Sequence, residues 1–274
     1  MNTRWPHTDV VLTEETVGSY APIRIRQPEG TYHLTPASRI TLLTIGKQQG
    51  LLSGIGIDWG CGTGCLAIAA ARIPSVQRVI GLDSSRPDVE AARENVALND
   101  VAHRVTIFHS DSFRPFADSD RHIMAELEGA VDFVVANPSA SHGDDGFSSR
   151  RRVIAEAKDF LKNHGLVCLQ ISIQYSAARI DSLIRDNPGY SHEGVLRSTH
   201  WVSFDLERND LRRLLDDYVA EERTGGLRYE FGDPRDGGAS VIDARTALAL
   251  YCESGTSPLT QWQVHAFRYQ RFGP

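Results

Sequence analysis

The sequence predicts an α/β fold, a mostly parallel sheet with helices on both faces. Two observations carry this. Between residues 54 and 173, short apolar runs alternate with amphipathic ones, at a spacing that makes each pair a strand and a crossover helix. The apolar runs, LVCLQISI (166–173) above all, also show little polar alternation, as strands covered on both faces should.

The elements follow in order. VVL (10–12) and PIRIR (22–26) read as short strands punctuated by Gly18, Pro22, Pro28 and Gly30. Thr35 then Pro36 is an N-cap with proline at the first helical position, and Ile40, Leu42, Leu43 and Ile45 carry that helix to Gly46 or Gly50. GIGID (54–58) is a strand, CLAIAAARI (65–73) a helix stopped before Pro74, and QRVIGLD (77–83) a strand. Ser85 caps a helix with Pro87 near its start and Val89, Ala92 and Val96 on one face. RVTIFHSD (104–111) and AVDFVVAN (130–137) are strands, with a short helix expected within 116–129. A helix over 149–162 precedes strand 166–173. Beyond it, 194–204 and LRYEF (227–231) read as strands, and 206–222 and 241–252 as helices. The stretch 232–240 is a loop, and WQVHAFRYQRF (262–272) a closing strand.

Composition bounds the function. The chain has 274 residues, 41% hydrophobic and 23% charged, so one large domain or a domain with an elaborated cap is expected. A formal charge of -6 argues against an extended nucleic-acid surface, which carries a basic excess. No run approaches a membrane span, and the start MNTRWPHTDV shows no leader pattern, so a cytoplasmic protein is expected. Cys61 and Cys65 have neither CxxC spacing nor a histidine pair nearby. They read as buried thiols, and no metal is expected.

The strongest local signal is Asp58-Trp59-Gly60-Cys61-Gly62-Thr63-Gly64, leaving a strand and entering a helix. Alternating glycines let the backbone pass close to a ligand. Asp83, about 20 residues on at the next strand end, suits a pair of ribose hydroxyls, with Ser84 beside it. Gly62-Thr63-Gly64-Cys65-Leu66-Ala67 also fits the GxGxxG/A fingerprint, so the glycines alone leave a nicotinamide dinucleotide open. Three further features decide: Asp58 before the glycines, Asp111-Ser112 after the third strand, and Asn137-Pro138 ending the fourth.

On these residues the sequence resembles the class I S-adenosylmethionine-dependent methyltransferases over roughly residues 50–205. The resemblance implies a Rossmann-like sheet of seven strands, the last one antiparallel. It also implies an N-terminal segment or lid (1–45), a cofactor-binding core (46–204), a cap inserted before the last strand (205–261) and that strand (262–274). The cofactor implied is S-adenosyl-L-methionine, leaving S-adenosyl-L-homocysteine. Asp58, Gly60, Cys61, Gly62 and Gly64 would hold its methionine part, Asp83 and Ser84 the ribose, and Asp111 and Ser112 the adenine. Asn137-Pro138, together with Gly146-Phe147 and Arg152 to Leu166, is similar to the NPPY-type N-methyltransferases, which include the glutamine N5-methyltransferases. There an asparagine oxygen and the proline carbonyl accept hydrogen bonds from the substrate amine, so Asn137 and Pro138 are the catalytic candidates, with Asn137 also bordering the cofactor. The motif departs from the pattern at Ser139-Ala140, where the second proline and the aromatic are missing. Substrate contacts are expected from Ser139, from the rings of Tyr32 and Trp201, and from His142, which is also a candidate general base. The expected acceptor is a small molecule or a peptide side chain. A protein glutamine, an RNA base, or a cofactor-binding but inactive subunit remain the alternatives.

Overall fold

The computed structural model describes residues 8–18 and 22–271. The outer ends of the expected N-terminal segment (1–45) and last strand (262–274), and residues 19–21, lie outside the described residues.

In chain order the strands are β1 Thr8–Leu12, β2 Ile23–Gln27, β3 Gly54–Trp59, β4 Val76–Asp83, β5 Val105–Asp111, β6 Arg114–Pro115 and β7 Val131–Ala136. They continue as β8 Leu161–Gln170, β9 Tyr190–Ser198, β10 Val202–Ser203, β11 Phe231–Gly232, β12 Val241–Ile242, β13 Leu259–Thr260 and β14 Gln263–Tyr269. The helices are α1 Glu14–Val17, α2 Pro36–Lys47, α3 Cys65–Ala71, α4 Arg86–Leu98, α5 Asp118–Glu126, α6 Ser148–Phe160, α7 Ser176–Arg185, α8 Asn209–Arg223 and α9 Ala244–Ser254.

The main sheet runs β6-β5-β4-β3-β7-β8-β14-β9. Strands β3, β4, β5, β7 and β8 pair in parallel, and β14 lies antiparallel between β8 and β9. Apart from the two-residue β6, this is the seven-strand Rossmann-like arrangement the sequence implies. Alternate residues of each strand feed two cores. Val134, Ala136, Val167 and Leu169 face the side packed by α5, α6 and α8. Phe133, Val135, Leu166 and Cys168 face the side packed by α2, α3 and α4. Phe133 pairs across from Gly56 and its ring covers that glycine: a Cβ at 56 would sit 2.0 Å from the ring. Phe133 is fully buried and cannot yield. Gly56→Ala is therefore expected to cost about 2–3 kcal/mol, the usual price of overpacking, read as a lower midpoint in urea unfolding.

The β1–β2 hairpin docks on α4 through two asparagines one turn apart. Asn95 accepts from the Arg26 amide (2.8 Å) and donates to the Arg26 carbonyl (2.9 Å). Asn99 does the same for Arg24 (3.0 and 2.7 Å). The two amides stand in for a neighbouring strand. The Thr35–Pro36 start of α2 is as expected, with Thr35 and Ser38 forming a reciprocal capping box. A second sheet, β10-β13-β11-β12, carries α8 and α9 beside it. No helix among the described residues is long and apolar enough to cross a membrane.

Three expectations change. The strand placed at 194–204 occupies 190–198, after which Trp201 leaves the main sheet to pack on the second one. Of LRYEF only Phe231 is in a strand, because the Leu227 and Arg228 carbonyls accept from Arg179 instead. Helix α7 was not anticipated: Arg179 is 1% exposed within it and interrupts its apolar stripe.

Candidate active site

The chain builds outward from β3 to β4 and β5, then returns to place β7 on the other side of β3. That reversal opens a crevice at the carboxyl ends of β3 and β7, where ligands of open α/β sheets bind. The two strongest sequence motifs end these two strands.

After β3 the backbone turns through Gly60, Gly62 and Gly64, all with positive φ (65°, 51° and 83°). Their roles differ. A Cβ at Gly60 would meet open space, one at Gly62 would touch the Tyr32 side chain at 3.4 Å, and one at Gly64 would press on Ala92 of α4 at 3.2 Å. Gly60 and Gly62 line a cavity of about 280 Å³ with Tyr32, Asp83, Ser84, Asp111, Ser112 and Asn137. Gly64 is a packing glycine and does not border it.

Asp83 closes one side. Its Oδ2 accepts from the Gly62 amide and its Oδ1 from the Ser85 amide, both at 2.8 Å. Burial raises its pKa, against the pull of these amides. Asp111 is exposed and pairs through Oδ1 with Arg152 (2.7 Å), which lowers its pKa. Ser112, held at φ 54°, accepts from the Trp59 indole (2.7 Å), so its hydroxyl is fixed at the wall.

Besides Gly64, two further expected cofactor contacts are corrected. Asp58 is fully buried: its Oδ2 accepts from the Ala67 amide inside α3 (2.8 Å), and its Oδ1 has no partner. Burial pushes its pKa up to about 7. It braces the turn from beneath and does not reach the cavity. Cys61 likewise points into the core, where a Cβ on Gly81 would lie 3.2 Å from its Sγ.

At the end of β7, Asn137 donates from Nδ2 to the Ser38 hydroxyl (3.0 Å). The first turn of α2 thus orients the amide and leaves its oxygen, an acceptor, for a ligand. The Pro138 carbonyl accepts from Arg150 Nη2 (3.1 Å) and keeps a second lone pair. Beyond lies a larger cavity of about 660 Å³. Tyr32, Asn137, Pro138 and Ser139 border both cavities, which therefore adjoin. Phe204, Arg208, Leu211 and Leu214 wall the larger one from the segment before β14, and Trp262 closes it.

Tyr32 is anchored by its amide, which donates to Asp88 Oδ1 (2.6 Å). Burial raises the pKa of its hydroxyl, against the side-chain hydrogen bonds of Thr35 and Ser139, although the residue as a whole is 38% exposed. His142 sits at the wall of the larger cavity, its Nδ1 3.2 Å from Asp217 of α8. Trp201 is the fourth correction: its ring fills the space over Gly232 of the second sheet and Gly238 of the adjoining turn, and Trp262 is the indole at the larger cavity. Sequence reasoning missed Ser38, Asp88, Arg150 and Trp262. Among the described residues no group of His, Cys, Asp and Glu could hold a metal.

The chain is 26% identical over 164 residues to the release factor glutamine methyltransferase of Thermodesulfovibrio yellowstonii, covering 54% of this chain and 58% of that protein. It is 41% identical over 81 residues to the ribosomal protein L11 methyltransferase of Thermotoga maritima, covering 30% and 25%. It spans less than two thirds of the length of these relatives. Its fold resembles TYW2 of P. horikoshii, solved in complex with MeSAdo, with a TM-score of 0.55 and 12% identity over 97% of this chain and 72% of that one. The model of the ribosomal protein L11 methyltransferase family (PrmA) matches residues 33–209, well over half of the chain, and the chain belongs to that family.

Proposed function

We propose that the protein is an S-adenosylmethionine-dependent methyltransferase acting on the amino or amide nitrogen of a small molecule. One observation carries the reading. The glycine turn with Asp83 lines the smaller cavity, and Asn137-Pro138 lines both that cavity and the larger one beside it.

The smaller cavity fits a nucleoside cofactor. Each Asp83 oxygen takes one backbone amide and retains a lone pair, so the carboxylate can accept from two ribose hydroxyls. Asp111 keeps Oδ2 for an adenine amino group while Arg152 holds Oδ1. The open space at Gly60 admits a ligand where any side chain would intrude. When bound, S-adenosylmethionine supplies a methyl group already activated by its sulfonium.

What remains for the chain is alignment and exclusion of water. Asn137 Oδ1 and the Pro138 carbonyl are two acceptors for the two N–H bonds of a substrate amine, which directs its lone pair toward the smaller cavity. Tyr32 supplies the ring that Ala140 lacks. The size and half-closed walls of the larger cavity suit a small acceptor, since pockets of roughly 300–1,000 Å³ bury most of a small ligand.

The first test is calorimetric titration with S-adenosylhomocysteine and, in parallel, NADH. Binding of the first alone supports the cofactor, and binding of NADH alone overturns it. Asp83→Ala is expected to weaken S-adenosylhomocysteine by about 10- to 100-fold, the loss of hydrogen bonds to a charged acceptor. Labelled-methyl screening of metabolites and peptides then identifies the acceptor.

A further inference from the structure

Arg150, in the first turn of α6, is 3% exposed and lines the larger cavity. Its Nε donates to the Gln170 carbonyl (2.9 Å). Its Nη2 donates to Gln170 Oε1 (2.8 Å) and the Pro138 carbonyl. Its Nη1 is buried with no partner. Among the described residues no carboxylate lies within ion-pair distance of it, whereas the neighbouring Arg151 and Arg152 are each paired with an aspartate. The Tyr175 ring lies 4.7 Å from the guanidinium, and such a contact only partly offsets lost hydration. A buried cation whose hydrogen bonds all go to neutral oxygens, with one N–H left over, lacks its counter-charge. Nearby, Gln174 is also buried at the cavity wall. Its oxygen accepts from Thr260 Oγ1 (2.6 Å), which leaves its amide nitrogen as a second donor.

We propose that the larger cavity takes a carboxylate, which docks against the Arg150 guanidinium, and that the methyl acceptor is therefore an amino- or amide-bearing carboxylic acid. The second half rests on the methyltransferase reading, and the first does not. Arg150 also touches the Pro138 carbonyl, so one side chain ties the anion site to the atom that positions the amine. A carboxylate could equally come from the methionine end of the cofactor, and the experiment separates the two sources.

The probes are carboxylate and primary-amide pairs of matched shape, benzoate with benzamide and indole-3-acetate with indole-3-acetamide. They are titrated into the protein with and without saturating S-adenosylhomocysteine. The expected result is a preference for each carboxylate over its amide by at least about tenfold, the scale of one charge-assisted hydrogen bond. The preference should disappear in Arg150→Met and survive, reduced, in Arg150→Lys. It should also vanish in the wild-type protein as pH falls through the acid's own pKa, a readout that needs no variant. Equal binding of carboxylate and amide by the wild-type protein overturns the proposal. If Arg150→Met instead weakens S-adenosylhomocysteine while leaving methylthioadenosine, which lacks the carboxylate, untouched, the anion is the cofactor's and the acceptor assignment fails. Failure of the wild-type protein to bind S-adenosylhomocysteine would sink the methyltransferase reading, with the carboxylate preference still measurable in the unliganded protein.

Discussion

Replacing Asn137 by alanine is expected to lower turnover by about 10²- to 10³-fold while leaving the Kd for S-adenosylhomocysteine close to the wild-type value. The split follows from the geometry. The cofactor's ribose and adenine are assigned to Asp83 and Asp111, at the ends of β4 and β5, while Asn137 borders both cavities, at the end of β7. Its nitrogen is committed to Ser38, so in the proposed reaction its oxygen is the atom left for the acceptor amine. Without it the amine keeps one acceptor, the Pro138 carbonyl, and rotates about that contact. An attack that must be in line with the breaking bond then starts from many orientations instead of one. Ser38→Ala removes only the tether and should cost less than Asn137→Ala, because the amide can still present its oxygen some of the time. Equal affinity and equal turnover in Asn137→Ala would remove it from the reaction. A parallel loss of both would assign it to cofactor binding alone.

The sheet was legible because its signals are local. Each parallel strand is a short apolar run ended by glycine or by a polar residue, and two helices, α2 before the sheet and α4 within it, carry side-chain caps at Thr35 and Ser85. What failed was decided by partners far along the chain. Asp58 looks like a ligand at a strand end, but whether a carboxylate there faces the crevice or the helix beneath depends on how tightly α3 closes over it. The Ala67 amide takes it inward. Trp201 was one of several rings that composition offered. Its fate was set by Gly232 and Gly238, more than thirty residues later, whose missing side chains make the slot it fills. Helix α7 was hidden by Arg179, a charge in the core that lies 3.8 Å from the Tyr229 ring and donates to three backbone carbonyls. Ser38 and Asn137 are 99 residues apart, and no spacing rule connects them.

Asp58 makes stability depend on pH in the direction opposite to that of most paired carboxylates. Its pKa in the folded chain is pushed up to about 7 by burial, well above the 3.8 of an unperturbed aspartate. As pH rises past that lower value the unfolded chain gives up the proton while the folded chain keeps it, so the folded state binds more protons and stability falls with pH. The contribution is complete below the unfolded pKa and gone once pH has passed about 7. The slope can reach about 1.4 kcal/mol per pH unit, so the loss across the window is on the order of 4 kcal/mol. Asp83, also raised by burial, adds in the same direction. Asp58→Asn keeps an oxygen for the Ala67 amide and removes the titration. Its new N–H₂ occupies the site where Oδ1 has no partner, which shifts stability by a constant that does not vary with pH. The informative quantity is therefore the slope. In urea unfolding from about pH 5 to about pH 8, the wild-type protein should lose stability relative to Asp58→Asn, and the difference should level off above neutrality. A flat difference would mean that the carboxyl ionises as an ordinary surface group does. The same variant also bears on the site: if Asp58 braces the glycine turn from beneath, S-adenosylhomocysteine binds Asp58→Asn nearly as well as the wild-type protein, whereas a carboxylate that held the cofactor's amine would take most of the affinity with it.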